Sequence, residues 1–207
     1  MQGLYLVTDR TWCGEKNLEE VVIQAVRGGV SYVQLREKGI STRSFVEEAL
    51  RIKKILTPQK VPLIINDRVD VALACDADGV HIGQEDMPYE TARKLLGPRA
   101  IIGLSVETWE DVIASQALDV SYIGVSPVFP TPTKTDTKEA WGLEGLTRIK
   151  AFSRHPLVAI GGIHESNIRD VVMAGAQCVA VVSAICSSSD PETATCKLTR
   201  LINSVLK

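Results

Sequence analysis

The sequence has no apolar run long enough to cross a membrane and no marked excess of charge of either sign. A membrane-spanning helix needs about 18 or more consecutive apolar residues, and charged or polar side chains interrupt every apolar stretch well before that length. The formal net charge is −2, so we expect neither a nucleic acid nor a membrane surface as a partner. A strand-like segment starts close to the first residue, and we therefore predict no secretory leader.

Cysteine and histidine are present, but they lack the spacing of metal sites. The five cysteines are far apart and odd in number, without a CxxC pair, and the three histidines show no metal-ligand pattern. This distribution is typical of buried or incidental thiols in a reducing compartment. We therefore predict a cytoplasmic protein.

Short apolar runs alternate with helix-period segments along the whole chain. Its 207 residues suffice for one large domain, and we assign residues 1–207 to a single catalytic domain. Strands that are apolar throughout are buried on both faces, as in parallel sheets. Eight β-then-α units predict a single (β/α)8 TIM barrel of the α/β class. An open doubly wound sheet is the alternative, although its GxGxxG motif is absent. The predicted strands are Leu4–Thr8, Tyr32–Arg36, Val61–Asn66, Gly79–Gly83, Ala100–Ser105, Tyr122–Val128, Leu157–Gly161 and Cys178–Ser183.

Helix start signals support the same division of the chain. Asn17 and Ser41 precede apolar-periodic segments and are suited to cap helices. The predicted helices include Leu18–Arg27, Thr42–Leu56, Tyr89–Leu96, Trp109–Ala117, Leu143–Phe152, Ile168–Ala174 and Glu192–Leu206.

Polar residues gather at the carboxyl ends of the predicted strands, where a TIM barrel places its chemistry. Arg36 and Lys38 follow strand two, and Lys134 lies in a long threonine- and proline-rich loop after strand six. Cations at these positions can meet a phosphate group, to which arginine offers two parallel donors. Asp67 and Asp86 follow strands three and four, and carboxylate oxygens are suitable Mg²⁺ ligands. The pattern predicts a site for a diphosphate and a metal ion.

A second phosphate site is predicted on strands seven and eight. Gly161 and Gly162 end strand seven, where bare backbone lets a phosphate approach, and Val182 and Ser183 end strand eight. The sequence has no Ser-His-Asp order, and His81 is interpreted as a packed core residue in mid-strand. These features favour a reaction that stabilises a leaving diphosphate and positions a second substrate, with little acid–base work by the protein.

Several motifs in this order are similar to those of the thiamine-phosphate synthase family, also called thiamine-phosphate pyrophosphorylase. They are YLVTDR, QLREK, INDRVDVALACDADGVHIGQEDMP, IGLS, GVSPVFPTPTKTD, VAIGGI and VAVVSAI. The resemblance spans nearly the whole chain, and INDRVD, GQED and FPTPTKTD carry most of its specificity.

The resemblance implies that a pyrimidine diphosphate couples to a thiazole phosphate, giving thiamine phosphate and diphosphate. It implies Mg²⁺ on Asp67 and Asp86, dissociative loss of diphosphate, and capture of the cation by the thiazole nitrogen. Catalytic roles fall on Arg36, Lys38, Ser105 and Lys134. Contacts to the pyrimidine diphosphate are expected from Gln34, Leu35, Arg36, Glu37, Lys38, Asn66, Ser105 and Lys134, and contacts to the thiazole phosphate from Thr131, Pro132, Thr133, Gly162, Val182 and Ser183.

Two other functions stay open at this point. A thiazole tautomerase branch shares the barrel, but the chain retains Asp67, Asp86 and Lys134, and Pro127 stands where that branch carries a catalytic histidine. A sensor that binds both phosphate ligands without turnover is the second alternative. The family commonly self-associates, so a homo-oligomer is compatible with the sequence.

Overall fold

Eight parallel strands form one closed barrel in the computed structural model, which describes residues 1–133 and 138–206. Each strand pairs with the next one in sequence, and β8 pairs with β1 to close the ring. The predicted (β/α)8 barrel is therefore confirmed, and the open-sheet alternative is excluded. The strands are β1 Gly3–Val7, β2 Tyr32–Leu35, β3 Leu63–Asn66, β4 Gly79–Ile82, β5 Ile101–Val106, β6 Tyr122–Val125, β7 Leu157–Ile160 and β8 Cys178–Val181.

Helices connect successive strands. The described helices are α1 Arg10–Cys13, α2 Leu18–Arg27, α3 Thr42–Leu56, α4 Val69–Ala74, α5 Tyr89–Leu96, α6 Trp109–Ser115, α7 Gly142–Phe152, α8 Ile168–Met173, α9 Ser183–Cys186 and α10 Pro191–Asn203. A 3₁₀ turn, Thr57–Gln59, follows α3. No helix in residues 1–133 or 138–206 is long and apolar enough to span a membrane.

The predicted helix caps are confirmed by side-chain hydrogen bonds. Asn17 accepts from the N–H of Glu19 at the start of α2, and Ser41 accepts from the N–H of Ser44 at the start of α3. Each bond satisfies a backbone donor that has no partner within the helix. Both helices have the predicted bounds.

The prediction for the sixth strand is wrong at its carboxyl end. β6 ends at Val125, and the peptide bond between Ser126 and Pro127 is cis. Proline has no N–H with which to continue a hydrogen-bonded ladder. The chain therefore leaves the strand here, at the rim of the barrel.

Two apolar layers hold the barrel together. The larger lies between the strands and the surrounding helices, and the smaller fills the barrel interior. The interior layer contains the side chains of Tyr5, Ile64, Tyr122 and Val158, all of them buried. Some of these side chains also form the floor of a cavity that opens at the carboxyl ends of the strands.

Candidate functional site

A cavity of about 1070 Å³ occupies the carboxyl-terminal mouth of the barrel. This volume slightly exceeds the roughly 300–1,000 Å³ typical of a pocket for a single small ligand, so it has room for more than one. The candidate site residues that line it are Gln34, Arg36, Lys38, Asn66, Asp67, Asp86, Ser105, Thr131, Pro132, Thr133, Gly162, Val182 and Ser183.

Asp67 and Asp86 form a carboxylate pair on one wall of this cavity. Burial raises the pKa of the Asp86 carboxyl, and the nearby Asp67 raises this pKa further by charge and hydrogen bonding. The N–H of Gly83 opposes the shift by donating to Asp86 Oδ2 at 2.7 Å. Two adjacent carboxylates in a partly buried place favour a cation between them.

The backbone of Asp67 is unusual for a residue with a side chain. Its φ is +61°, in the left-handed region that asparagine and aspartate tolerate better than most residues. The turn is held because Asp67 N–H donates to the carbonyl of His81 at 2.8 Å, and Arg68 N–H donates to the carbonyl of Asn66 at 2.7 Å. Strained backbone of this kind is often found at functional sites.

Two cations border the carboxylate pair, and each has a carboxylate partner. Arg36 Nη1 lies 2.6 Å from Asp9 Oδ2, and Lys38 Nζ lies 2.8 Å from Asp67 Oδ2. The Asp9 contact fixes one edge of the Arg36 guanidinium and leaves other donors of the fork for a ligand. Lys38 is exposed, so its ion pair contributes little to stability and can be exchanged at small cost.

The structure does not bring every residue of the QLREK segment to the cavity. Alternation along an extended chain turns Leu35 and Glu37 away from the face that carries Arg36. Leu35 is buried in the apolar layer outside the barrel. Glu37 pairs with Arg10 Nη2 at 3.0 Å, and the same nitrogen contacts Glu48. Burial and the Glu48 charge raise the pKa of Glu37. Side-chain contacts from Leu35 and Glu37 to a ligand in the cavity are therefore not supported.

The opposite wall is built from β7, β8 and the segment after β6. Gly161 and Gly162 have φ values of +103° and +62°, and a Cβ atom on Gly162 would come within 2.7 Å of the Pro130 carbonyl oxygen. Glycine at position 162 is thus required for the close approach of the Phe129–Pro130 backbone. Val182 and Ser183 line the same wall.

The threonine-rich segment reaches the cavity as predicted. Thr131, Pro132 and Thr133 line it, and the Thr131 hydroxyl accepts from the N–H of Thr133 at 3.2 Å. The candidate residue Lys134 lies outside the described residues, and its role stays a prediction.

A chain of hydrogen bonds crosses the cavity floor, and sequence reasoning did not find it. Gln34 Nε2 donates to the Tyr5 hydroxyl at 3.1 Å, and the Tyr5 and Tyr122 hydroxyls are 3.1 Å apart. His81 Nδ1 is 2.9 Å from the Tyr122 hydroxyl, and His81 Nε2 is 2.8 Å from Ser105 Oγ. The interpretation of His81 as a packed core residue is wrong, because its ring lines the cavity. Strand alternation could have suggested this position, since His81 interrupts an apolar run.

The donor set at the mouth fits Mg²⁺. The described residues contain no group of three or more histidine, cysteine, aspartate or glutamate side chains that could enclose a metal. Mg²⁺ needs no such cage, because it keeps several waters and is bound by one or two carboxylates together with substrate phosphates. Asp67 and Asp86 supply that number of hard oxygen groups.

The chain is similar to known proteins over almost its full length. A family model described as thiamine monophosphate synthase matches residues 4–185. The thiamine-phosphate synthase of Albidiferax ferrireducens is 56% identical over 202 residues, which are 98% of this chain and 92% of the relative. The thiamine-phosphate synthase of Vibrio campbellii is 52% identical over 191 residues, which are 92% and 93% of the two chains.

Solved structures agree with the sequence comparison. The thiamine phosphate pyrophosphorylase from Pyrococcus furiosus superposes with a TM-score of 0.90 at 37% identity, covering 100% of this chain and 98% of that one. A 3-hexulose-6-phosphate synthase superposes with a TM-score of 0.67 at 17% identity, covering 97% and 99%. The second similarity extends to the fold alone.

Proposed function

The chain belongs to the thiamine monophosphate synthase family, and from this premise we propose that its barrel mouth joins a pyrimidine diphosphate to a thiazole phosphate. The products are thiamine phosphate and diphosphate. The chain is thus a transferase of thiamine biosynthesis that acts on small molecules. The pyrimidine is the 4-amino-2-methyl-5-hydroxymethyl compound, and the thiazole carries a methyl and a phosphooxyethyl group or is its carboxylated precursor.

One observation carries the proposal: a single cavity has two chemically different walls. The wall from β2 to β4 presents Arg36 and Lys38 beside the carboxylates of Asp67 and Asp86. The wall from β7 and β8 presents glycine backbone and Ser183. A diphosphate with a metal ion suits the first wall, and a monophosphate suits the second. The two substrates would then meet above the floor.

Asp67 and Asp86 would hold the metal ion, which we propose is Mg²⁺. When bound, Mg²⁺ neutralises charge on the diphosphate and makes it a better leaving group. The Lys38 ammonium would move from Asp67 to the diphosphate, because Asp67 Oδ2 and a diphosphate oxygen compete for it. Arg36 would bind the same diphosphate while Asp9 holds its other edge.

The reaction needs no protein nucleophile. The bond between the pyrimidine methylene carbon and the diphosphate oxygen breaks, and its electron pair leaves with the diphosphate. The thiazole nitrogen then donates its lone pair to the methylene carbon. Arg36, Lys38 and Lys134 would stabilise the growing negative charge, an interaction stronger in the transition state than in the ground state. Ser105 and Asn66 would position the pyrimidine half, and Thr131 to Thr133 the thiazole half.

The proposal is tested by incubating the protein with both phosphorylated substrates and Mg²⁺. We expect thiamine phosphate and diphosphate in equal amounts, and no product when either substrate or the metal is left out. Binding of both substrates without turnover would instead identify a sensor. Conversion of a thiazole isomer without coupling would identify a tautomerase. The cytoplasm and a homo-oligomeric state stay predictions.

A substitution at Ser183 tests whether the two walls of the cavity bind different substrates. Ser183→Ala is expected to raise the KM for the thiazole phosphate about tenfold, since a hydrogen bond to a charged group contributes about 1.5 kcal/mol or more. The KM for the pyrimidine diphosphate should change less than about twofold, because that substrate binds the other wall. Steady-state kinetics with each substrate varied in turn measures both values.

Ser189→Ala is the matched control, because Ser189 is an exposed serine beyond α9. It should leave both KM values unchanged. Equal increases in both KM values for Ser183→Ala would contradict two separate phosphate sites. Gly162→Val is less suitable for this purpose, since its side chain would strike Phe129 and Pro130.

A further inference from the structure

The hydrogen-bond chain on the cavity floor, which we call the relay, connects Gln34, Tyr5, Tyr122, His81 and Ser105 in that order. Its members lie on β1, β2, β4, β5 and β6, so the relay crosses five of the eight strands. All five side chains line the cavity, and Ser105 is the last member of the relay. Because Ser105 ends the relay, His81 is the only relay member that its hydroxyl contacts.

One arrangement of protons gives every donor within the relay an acceptor. Gln34 Nε2 can only donate, so the Tyr5 oxygen accepts from it. The distances alone allow either tyrosine to donate and either imidazole tautomer. In this arrangement Tyr5 donates to the Tyr122 oxygen, which is the acceptor in contact with it, and Tyr122 donates to His81 Nδ1. A neutral imidazole that accepts at Nδ1 carries its proton on Nε2, where it donates to Ser105 Oγ. With its oxygen already accepting, Ser105 keeps its own hydroxyl proton for a ligand in the cavity.

Both phenols are suited to this role. Burial raises the pKa of Tyr5 and of Tyr122, so each phenol keeps the proton that it donates to the next member of the relay. The two hydroxyls would otherwise be polar groups in an apolar interior, at a cost that hydrogen bonds remove. The relay thus gives both tyrosine hydroxyls hydrogen-bond partners and also fixes the direction in which each hydroxyl points.

Two strand glycines make room for the relay. A Cβ atom on Gly103 would overlap the ring of Tyr122, and one on Gly124 would come within 2.9 Å of His81 Cε1. Neither glycine has a positive φ, so backbone conformation does not require it. Glycine weakens a strand interior, and its use at both positions indicates that the two rings are a built feature of the barrel.

We propose that the relay fixes the hydroxyl of Ser105 as a hydrogen-bond donor toward the bound pyrimidine diphosphate, with His81 and Tyr122 as positioning residues. The proposal rests on the proposed function for the identity of the ligand. The direction of the relay is a property of the ligand-free protein and can be measured separately.

The test is ¹⁵N NMR of the histidine rings in the ligand-free protein. The chain has only three histidines, so His81→Asn assigns the resonances. We expect the wild-type His81 ring to carry its proton on Nε2, with Nδ1 unprotonated. Tyr122→Phe removes the donor to Nδ1 and should shift the Nδ1 resonance. Tyr32→Phe is the matched control, because Tyr32 packs against Tyr5 with ring centroids 5.7 Å apart but stands outside the relay.

Kinetics connect the relay to Ser105. Without the Tyr122 donor, the His81 ring proton can move to Nδ1, and Nε2 can then accept the Ser105 proton, which diverts that proton from the ligand. Tyr122→Phe should therefore lower kcat about fivefold to tenfold, the effect of one hydrogen bond. In a double-mutant cycle, adding Tyr122→Phe to Ser105→Ala should cause no further loss.

A neutral wild-type His81 ring with its proton on Nδ1 would show the opposite direction and overturn the proposal, even if the Tyr122 variant does not fold. An unchanged Nδ1 resonance in Tyr122→Phe would overturn it as well. Additive losses in the cycle would show that Tyr122 acts independently of Ser105. Absence of coupling by the wild-type enzyme would contradict the proposed function and leave the NMR result to decide the direction of the relay.

Discussion

Asp86→Asn is expected to lower kcat/KM for the coupling reaction about a thousandfold, because a metal ion contributes several kcal/mol to stabilising transition-state charge. Each tenfold loss corresponds to about 1.4 kcal/mol. The asparagine oxygen can still accept from the N–H of Gly83, a bond of 2.7 Å in the native chain. The local fold should therefore survive while the anionic metal ligand is lost. Steady-state kinetics over a range of Mg²⁺ concentrations measures the effect.

Thermal unfolding shows whether Asp86→Asn loses activity through lost metal binding or through a damaged fold. Mg²⁺ should raise the Tm of the wild-type protein, since a ligand that binds only the folded state stabilises it. It should not raise the Tm of Asp86→Asn. In chelator the variant should be at least as stable as the wild type, because it no longer places a partly buried negative charge beside Asp67.

Asp67→Asn should have the same effects, and asparagine tolerates the positive φ at position 67. Asp70→Asn is the control, because Asp70 is an exposed carboxylate that pairs with Arg68. It should retain nearly full activity. Wild-type rates for either Asp67→Asn or Asp86→Asn in chelator-treated buffer would refute the metal assignment.

Arg36→Met is expected to lower kcat/KM by at least about a hundredfold. Two hydrogen bonds from a guanidinium to a diphosphate contribute roughly 3 kcal/mol or more together. Methionine keeps the apolar stem of the side chain and removes only its charged head. The substitution also leaves Asp9 without its 2.6 Å partner, so we expect a lower Tm in addition to lower activity.

A second substitution distinguishes these two losses. Asp9→Asn removes the unpaired charge and can still cap α1, where Asp9 Oδ1 accepts from the N–H of Thr11 at 3.0 Å. Adding Asp9→Asn to Arg36→Met should restore the Tm but not the activity. Arg51→Met is the control, since Arg51 forms an equally short ion pair with Glu19 and neither residue lines the cavity. If the double variant recovered activity with the Tm, Arg36 would be structural rather than a diphosphate ligand.

Much of the fold could be read from local patterns. Continuous apolar runs predicted all eight strands, and caps such as Asn17 and Ser41 predicted where helices begin. These features depend on residues close together in the chain, because burial on both faces and satisfaction of helix-end donors are local requirements. Short helices such as α4 and α9 lacked a clear periodic signal and were missed.

The positions of the polar residues at the mouth were also predictable, but the directions in which their side chains point were not. Asp67 and Asp86 follow successive strands, and in a closed parallel barrel the ends of such strands are neighbours. The sequence could not show that Glu37 turns to Arg10 while Arg36 turns to the cavity. That depends on where each strand ends and on which partner a charged side chain meets across the rim.

The relay is the clearest case of a feature that closure of the barrel creates. Tyr5 and Tyr122 are 117 positions apart in the chain, yet their hydroxyls are in hydrogen-bonding contact. Their meeting requires the barrel to close with a register that places Gly103 opposite Tyr122. Nothing in the residues around Tyr5 specifies that distant neighbour. Strand, helix and rim positions follow from short-range patterns, whereas contacts across the barrel follow from strand register, which the packing of the whole chain sets.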